Sequence, residues 1–167
     1  MEVSLPAKTL QALQVCLDCF ERLKIPYHLC GGVAAHFYGA RRTINDLDFE
    51  VHDGDLPKVM EFLQDYLKVP LERYRDAKWD LLMAQFEIAG QWVDINGADT
   101  GRMSNLAKTS WLSAKSDFTR DVIVPLAGRL IRLMHPADLA AYKRELDFDY
   151  QQIDIAACEA YLELRNP

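Results

Sequence analysis

Three aspartates stand where they can bind metal. Asp46 and Asp48 lie two residues apart in Asp46-Leu47-Asp48-Phe49-Glu50-Val51, and Asp94 is embedded in Trp92-Val93-Asp94-Ile95. In an extended segment, side chains at i and i+2 leave the same face, so the acids converge while Leu47, Phe49 and Val51 turn the other way. Carboxylate oxygens are hard ligands that suit Mg²⁺, and a third acid from a neighbouring strand completes a cage. Two ions roughly 3.5 to 4 Å apart stabilise both the attacking and the leaving oxygen of an in-line displacement at phosphorus. Upstream, Gly31-Gly32 separates a short apolar run, Tyr27 to Cys30, from a helical stretch, Val33 to Tyr38. A glycine turn before a helix N-terminus lets backbone amides approach a phosphate, which the helix dipole also favours.

Each feature has a plainer explanation. Asp46, Asp48 and Glu50 also fit an edge strand with a solvated acidic face. Glu50, one pleat beyond Asp48, is expected to meet solvent. Asp94 also fits a strand-end acid paired with Arg41 or Arg42, and those arginines equally suit capping of the helix before them. The coincidence of all three features favours the metal site. His28, His36, His52 and His135 lack metal-ligand spacing and receive no role, and no stacking role is assigned to Trp79, Trp92 or Trp111.

Positioning such acids requires a sheet. Leu10, Leu13, Leu17 and Phe20 repeat at helical spacing across a first helix, Leu5 to Leu23. A strand at Tyr27 to Cys30, the helix after Gly32 and the alternating strand from Asp46 follow. An amphipathic helix is expected from Asp55 to Leu67, then strands at Leu81 to Ile88 and Gln91 to Ile95 joined through Ala89-Gly90. Gly97 to Ser116 reads as a surface connection carrying one short helix, with a lid role left open. Val122 to Val124 and Arg129 to Leu133 form a hairpin around Pro125-Leu126-Ala127-Gly128, and two helices occupy 136–165. The expected class is α+β: a mixed, twisted sheet backed by helices, with a C-terminal helical pair, in one domain spanning 1–167.

Composition narrows the function. The 167 residues are 50% hydrophobic with a formal net charge of −6. That balance argues against extended, salt-driven binding of nucleic acid, and an acidic surface suits a polycationic or neutral small acceptor. No apolar run reaches the roughly 18 residues of a membrane span, and the first residues lack a signal-peptide h-region, so a cytoplasmic protein is expected. Four cysteines are too few for a disulfide scaffold, and Cys16-x-x-Cys19 falls within the amphipathic first helix with no second ligand pair, which favours packing over zinc.

Gly31-Gly32-x6-Gly39, Arg41-Arg42-Thr43, Asp46-Leu47-Asp48 and Val93-Asp94-Ile95 together resemble the polymerase-β-type nucleotidyltransferase superfamily. The resemblance is nearest to its minimal members, the lincosamide and aminoglycoside adenylyltransferases and the small transferases of toxin-antitoxin systems. The core signature lies within 27–96. Gly128-Arg129-Leu130-Ile131-Arg132 and Pro136 to Lys143 are similar to the strand and helix that follow the core.

The resemblance implies transfer of a nucleoside monophosphate from a nucleoside triphosphate, ATP above all, to an acceptor hydroxyl on a small molecule, protein or RNA. It implies two Mg²⁺ ions, replaceable by Mn²⁺, held by Asp46, Asp48 and Asp94, with Asp94 alternatively accepting the hydroxyl proton. Gly31 and Gly32 would contact the triphosphate, and Arg42, Thr43 and Lys143 would bind its oxygens. A homodimer that completes the acceptor pocket fits the same scheme. The sequence departs from many relatives after Lys143, where their Arg-Lys-Asp run is replaced by Leu146-Asp147-Phe148-Asp149-Tyr150. The competing reading is a catalytically idle module of the same fold in a toxin-antitoxin-like complex, against which the three intact acids count. A metal-dependent phosphodiesterase would bring histidines into the cage.

Overall fold

The structure, a computed structural model, describes residues 3–165. The chain runs α1 (Ala7–Leu23), β1 (Tyr27–Cys30), α2 (Gly31–Tyr38), β2 (Asp46–Val51), α3 (Leu56–Phe62), β3 (Leu67–Arg75), β4 (Trp79–Ile88), β5 (Gln91–Gly97), β6 (Arg102–Ser104), β7 (Trp111–Ser113), β8 (Val122–Leu126), β9 (Arg129–Leu133), α4 (Pro136–Lys143) and α5 (Tyr150–Glu163). The strands form one mixed sheet in the order β7-β6-β4-β5-β2-β1-β9-β8, with β3 on the other side of β4. The β2–β5 and β1–β9 pairs are parallel and the others antiparallel. This is the expected α+β class.

One face of the sheet is apolar because β2 and β5 alternate strictly. Leu47, Phe49 and Val51 are buried, as are Val93 and Ile95, while the acids between them are only half-buried. α1 lays Leu13, Cys16, Leu17 and Phe20 against this face, and Phe20 stacks on Tyr27 at 4.6 Å and meets Phe49 edge-on at 5.2 Å. Each such side chain contributes roughly 1.5–3 kcal/mol by leaving water. Cys16 and Cys19 are fully buried thiols in this layer, as packing requires. α1 ends at Lys24 in the left-handed conformation, φ 55°, and α2 ends at Gly39, φ 116°. α4 and α5 pack on each other and on α2. Among the described residues, no helix is long and apolar enough to cross a membrane.

Two segments depart from the sequence-based expectation. The helix expected from Asp55 to Leu67 is shorter, Leu56–Phe62 between two 3-10 turns, and Leu67 opens the nine-residue strand β3. β3 carries Pro70 and register shifts against β4; proline is tolerated there because β3 has a partner on one side only. Within Gly97 to Ser116 there is a β6–β7 hairpin and no helix. Its strands are three residues long, too short for alternation to show, and are fixed by pairing with the distant Trp79 and Asp80.

Candidate active site

Cross-strand partners point to the same side of a sheet, so the register sets the candidate residues in rows. Gln85 on β4 pairs with Asp94 on β5, Asp94 with Asp48 on β2, and Asp48 with Cys30 on β1. One pleat along, Met83 pairs with Asn96, Asn96 with Glu50, and Glu50 with His28. Asp46, opposite Trp92, stands one pleat to the other side of Asp48. One carboxylate oxygen each from Asp46, Asp48 and Asp94 lie within 4.8 Å of one another. They sit in a cleft of about 1110 Å³, larger than the roughly 300–1,000 Å³ of a pocket for one small ligand.

The glycine turn shapes this cluster. β1 runs directly into α2, and Gly31 takes φ +64°, where a side chain is strained. A Cβ at Gly31 would lie 1.9 Å from Asp48 Oδ2, so the space a side chain would fill holds the carboxylate. The Gly31 N–H donates to the Tyr142 hydroxyl at 3.0 Å. A Cβ at Gly32 would lie 2.4 Å from Arg42 Nη2. The two glycines therefore admit the Asp48 carboxylate and a cation close to the start of α2.

The electrostatics fit a bound cation. Burial raises Asp48 well above the usual carboxylate range, and Asp46 and Asp94 add to the effect while Lys143 opposes it. Asp46 is raised by burial against the pull of Arg42 and Lys143. Asp94 is raised by burial although Gln85 Nε2 and Trp92 Nε1 both donate to its Oδ1, at 2.8 and 3.0 Å. Among the described residues, no N–H or O–H donates to the Asp48 carboxylate. Three acids pressed together with so few donors are what a divalent ion would neutralise, and all-oxygen ligands suit Mg²⁺ or Mn²⁺.

The cations are placed by a residue the sequence reading missed. Asp154, fully buried on α5, accepts two bonds from Arg42, at 2.8 Å from Nε and 2.7 Å from Nη2, and a third contact from Lys143 Nζ at 2.8 Å. Lys143 also donates to Gln151 Oε1 at 2.9 Å, and the Tyr150 ring lies 4.8 Å from the Arg42 guanidinium. Arg42 and Lys143 both line the cleft. Thr43 does not: the chain alternates after Arg42 and leaves Thr43 exposed near Ser4, Leu5 and Pro6. Arg41 donates to the His36 and Ala40 carbonyls at the end of α2, so neither arginine pairs with Asp94.

Glu50 corrects a second expectation. Its carboxylate is not left to solvent: it accepts from His28 Nε2 at 2.7 Å and from the Ser116 hydroxyl. His28 Nδ1 contacts Asp121 at 2.7 Å, and Arg132 Nε donates to the same Asp121 at 3.2 Å. Burial alone would lower the His28 pKa, but Asp121 and Glu50 outweigh it and raise it to about 9.

Set beside solved structures, the fold has clear counterparts. A protein of Thermotoga maritima assigned as a nucleotidyltransferase matches over 98% of this chain and 94% of its own, at 15% identity and a TM-score of 0.68. The lincosamide antibiotic adenylyltransferase LnuA, solved with lincomycin, matches over 94% and 98%, at 17% identity and a TM-score of 0.60. ANT(2″)-Ia in complex with adenylyl-2″-tobramycin matches over 95% and 91%, at 15% identity and a TM-score of 0.63. No family model matches the chain, and no curated protein matches it in sequence. At these identities the likeness establishes the fold alone: the chain has the nucleotidyltransferase fold.

Proposed function

We propose that this chain is a Mg²⁺-dependent nucleotidyltransferase that moves a nucleoside monophosphate, with ATP as donor, to an acceptor hydroxyl. The observation that carries the reading is the convergence of Asp46, Asp48 and Asp94 to within 4.8 Å on the open face of this fold. Bound divalent ions supply charge at the triphosphate and at the attacking oxygen. Asp46 and Asp48, side by side on one face of a strand, would hold the ions. Asp94 is oriented by Gln85 and Trp92, and it ligates the catalytic ion or takes the proton of the acceptor hydroxyl. The acceptor oxygen bonds to the α-phosphorus, the bond from that phosphorus to the bridging oxygen breaks, and pyrophosphate leaves. Arg42 lines the cleft with Nε and Nη2 bonded to Asp154 and Nη1 to the Thr43 carbonyl at 3.1 Å, and the second N–H of Nη1 or Nη2 is what it would offer a phosphate. Adenylyl transfer to a small molecule is the chemistry named for two of the similar structures.

Calorimetry with each of the four ribonucleoside triphosphates and Mg²⁺ tests the reading, run beside an Asp46→Ala/Asp48→Ala variant. Metal-dependent binding by the wild type and its loss in the variant are expected. Failure of the wild type to bind any triphosphate at millimolar concentration would overturn it.

A further inference from the structure

The metal row accounts for one part of the cleft, and the row beside it is unclaimed. Along β4, Trp79, Leu81, Met83 and Gln85 alternate onto the cleft face, and each lines the cavity. Gln85 donates to Asp94. Met83 is therefore one pleat, about 7 Å, from the metal row. At the far end Trp79 pairs with Met103, and Met103 with Leu112 on the β6–β7 hairpin, so the apolar strip turns a corner and continues across three strands. Polar groups flank Met83 on both sides, Glu72 on β3 and Asn96 on β5. Asn96, opposite Met83, has a buried Oδ1 with no hydrogen-bond partner. Buried amide oxygens are rarely left so; Asn96 lines the cleft, and a turn of its carboxamide would bring Oδ1 to a ligand donor.

Several charges around this half are paired. Glu50 and Asp121 face His28 and Arg132, Arg120 is paired with Asp138 at 2.6 Å, and Asp117 is taken up by the Thr119 N–H and hydroxyl. Glu72, Asp117 and Glu145 also line the cleft and form no ion pair among the described residues, and Lys115 adds one positive charge. A polycation would need uncompensated acids, and outside the metal row this wall supplies few. An RNA end would need several free cations beyond those that face the triphosphate, and here Arg120 and Arg132 are held by carboxylates, which leaves Lys115.

Resting on the transferase reading, the geometry points to the Met83–Asn96 half of the cleft as an acceptor pocket for a neutral small molecule that carries its hydroxyl on an apolar body, such as an aryl glycoside, rather than for a polycation. The apolar body lies along Met83, Leu81 and Trp79, a hydroxyl or amide donor meets Asn96 Oδ1, and the reacting hydroxyl reaches Asp94. This narrows the acceptor class, because the chain's overall acidity alone suits either kind.

Saturation-transfer NMR with phenyl β-D-glucopyranoside and with 2-deoxystreptamine, a dicationic aminocyclitol lacking an aryl body, tests the assignment on the full chain. Transfer to the phenyl ring is expected in the wild type. Met83→Lys should weaken that binding by about tenfold. Leu112→Lys, on an exposed hairpin where folding is not at stake, should weaken it in the same direction. Stronger transfer to 2-deoxystreptamine, no transfer to the phenyl glycoside, or phenyl glycoside binding unchanged in both variants would overturn the assignment. Calorimetry of the same samples with Mg²⁺ and nucleoside triphosphate keeps the two readings apart. Triphosphate binding should survive both substitutions, and its absence in the wild type counts against nucleotidyl transfer and not against the pocket.

Discussion

Gly31→Ala isolates the contribution of the glycine turn. The added methyl is centred 1.9 Å from Asp48 Oδ2 and 2.7 Å from Asp48 Cγ, against about 3.4 Å for the near edge of ordinary contact, so the carboxylate must retreat by roughly 1.5 Å. It has little room, because Asp48 lies in the middle of a strand paired on both sides, to Cys30 and to Asp94. The φ of +64° adds a backbone cost of about 1–2 kcal/mol for alanine. At roughly 2–4 °C per kcal/mol in a chain of this size, the melting temperature should fall by about 2–8 °C. Displacing a ligand's support typically weakens metal binding about 10–100-fold. The assay is Mn²⁺ binding, followed by calorimetry, on wild type and Gly31→Ala, with the melting temperature recorded for each. Gly39→Ala serves as the control: it has positive φ, but nothing lies within 4 Å of its Cβ position, so it should lose stability and keep the metal. Equal Mn²⁺ affinity in wild type and Gly31→Ala would show that Asp48 is not a ligand or that the turn does not position it.

Asp154→Ala should cost about 3–5 kcal/mol in urea unfolding, because it leaves the Lys143 ammonium and most of the Arg42 guanidinium buried without a counter-charge. A loss below about 1 kcal/mol would mean that both cations find water or another acid. His28 gives a pH signature. Its folded pKa of about 9 lies above the unfolded value of 6.5, so its stabilising contribution is complete below about pH 6.5, declines above that and is gone once the pH passes 9. The melting temperature of wild type should therefore fall more steeply between pH 6.5 and 9.5 than that of His28→Gln, and parallel curves would refute the Glu50–His28–Asp121 clamp.

What could be read from the sequence follows from how far each constraint reaches along the chain. Asp46 and Asp48 were legible because strand alternation is a local rule, and β2 obeys it at every position, burying Leu47, Phe49 and Val51. Asp94 was legible as the one acid in a strand whose neighbours Val93 and Ile95 belong in a core. The supports of these acids were not. Tyr142 meets Gly31, and Asp154 meets Arg42, across more than a hundred residues. A signal for Asp154 did exist: Gln151, Asp154, Ile155 and Cys158 recur at helical spacing and are all buried, and a carboxylate on the inward face of a helix demands a partner. Glu50 was misread because its environment depends on which strand lies beside β2. Only the antiparallel pairing with β1 brings His28 opposite it, and only the chain beyond β7 brings Ser116.

The same distinction separates chemistry from specificity in the cleft. The candidate metal row draws two acids from one strand and needs only a single long-range pairing, β2 with β5, to gain the third, so its residue types suggest it in sequence. The neighbouring row, Met83–Asn96–Glu50–His28, assembles one residue from each of four strands, and no two of them form a motif in sequence. Its apolar continuation through Trp79, Met103 and Leu112 depends on a hairpin whose strands, three residues each, are too short for alternation to reveal. Substitutions at Met83 or Leu112 alter no metal-row acid and do not touch the pairing of β2 with β5. The proposed acceptor wall can therefore be rebuilt without disturbing the aspartates, and on this reading acceptor preference is written in strand pairing instead of in motifs.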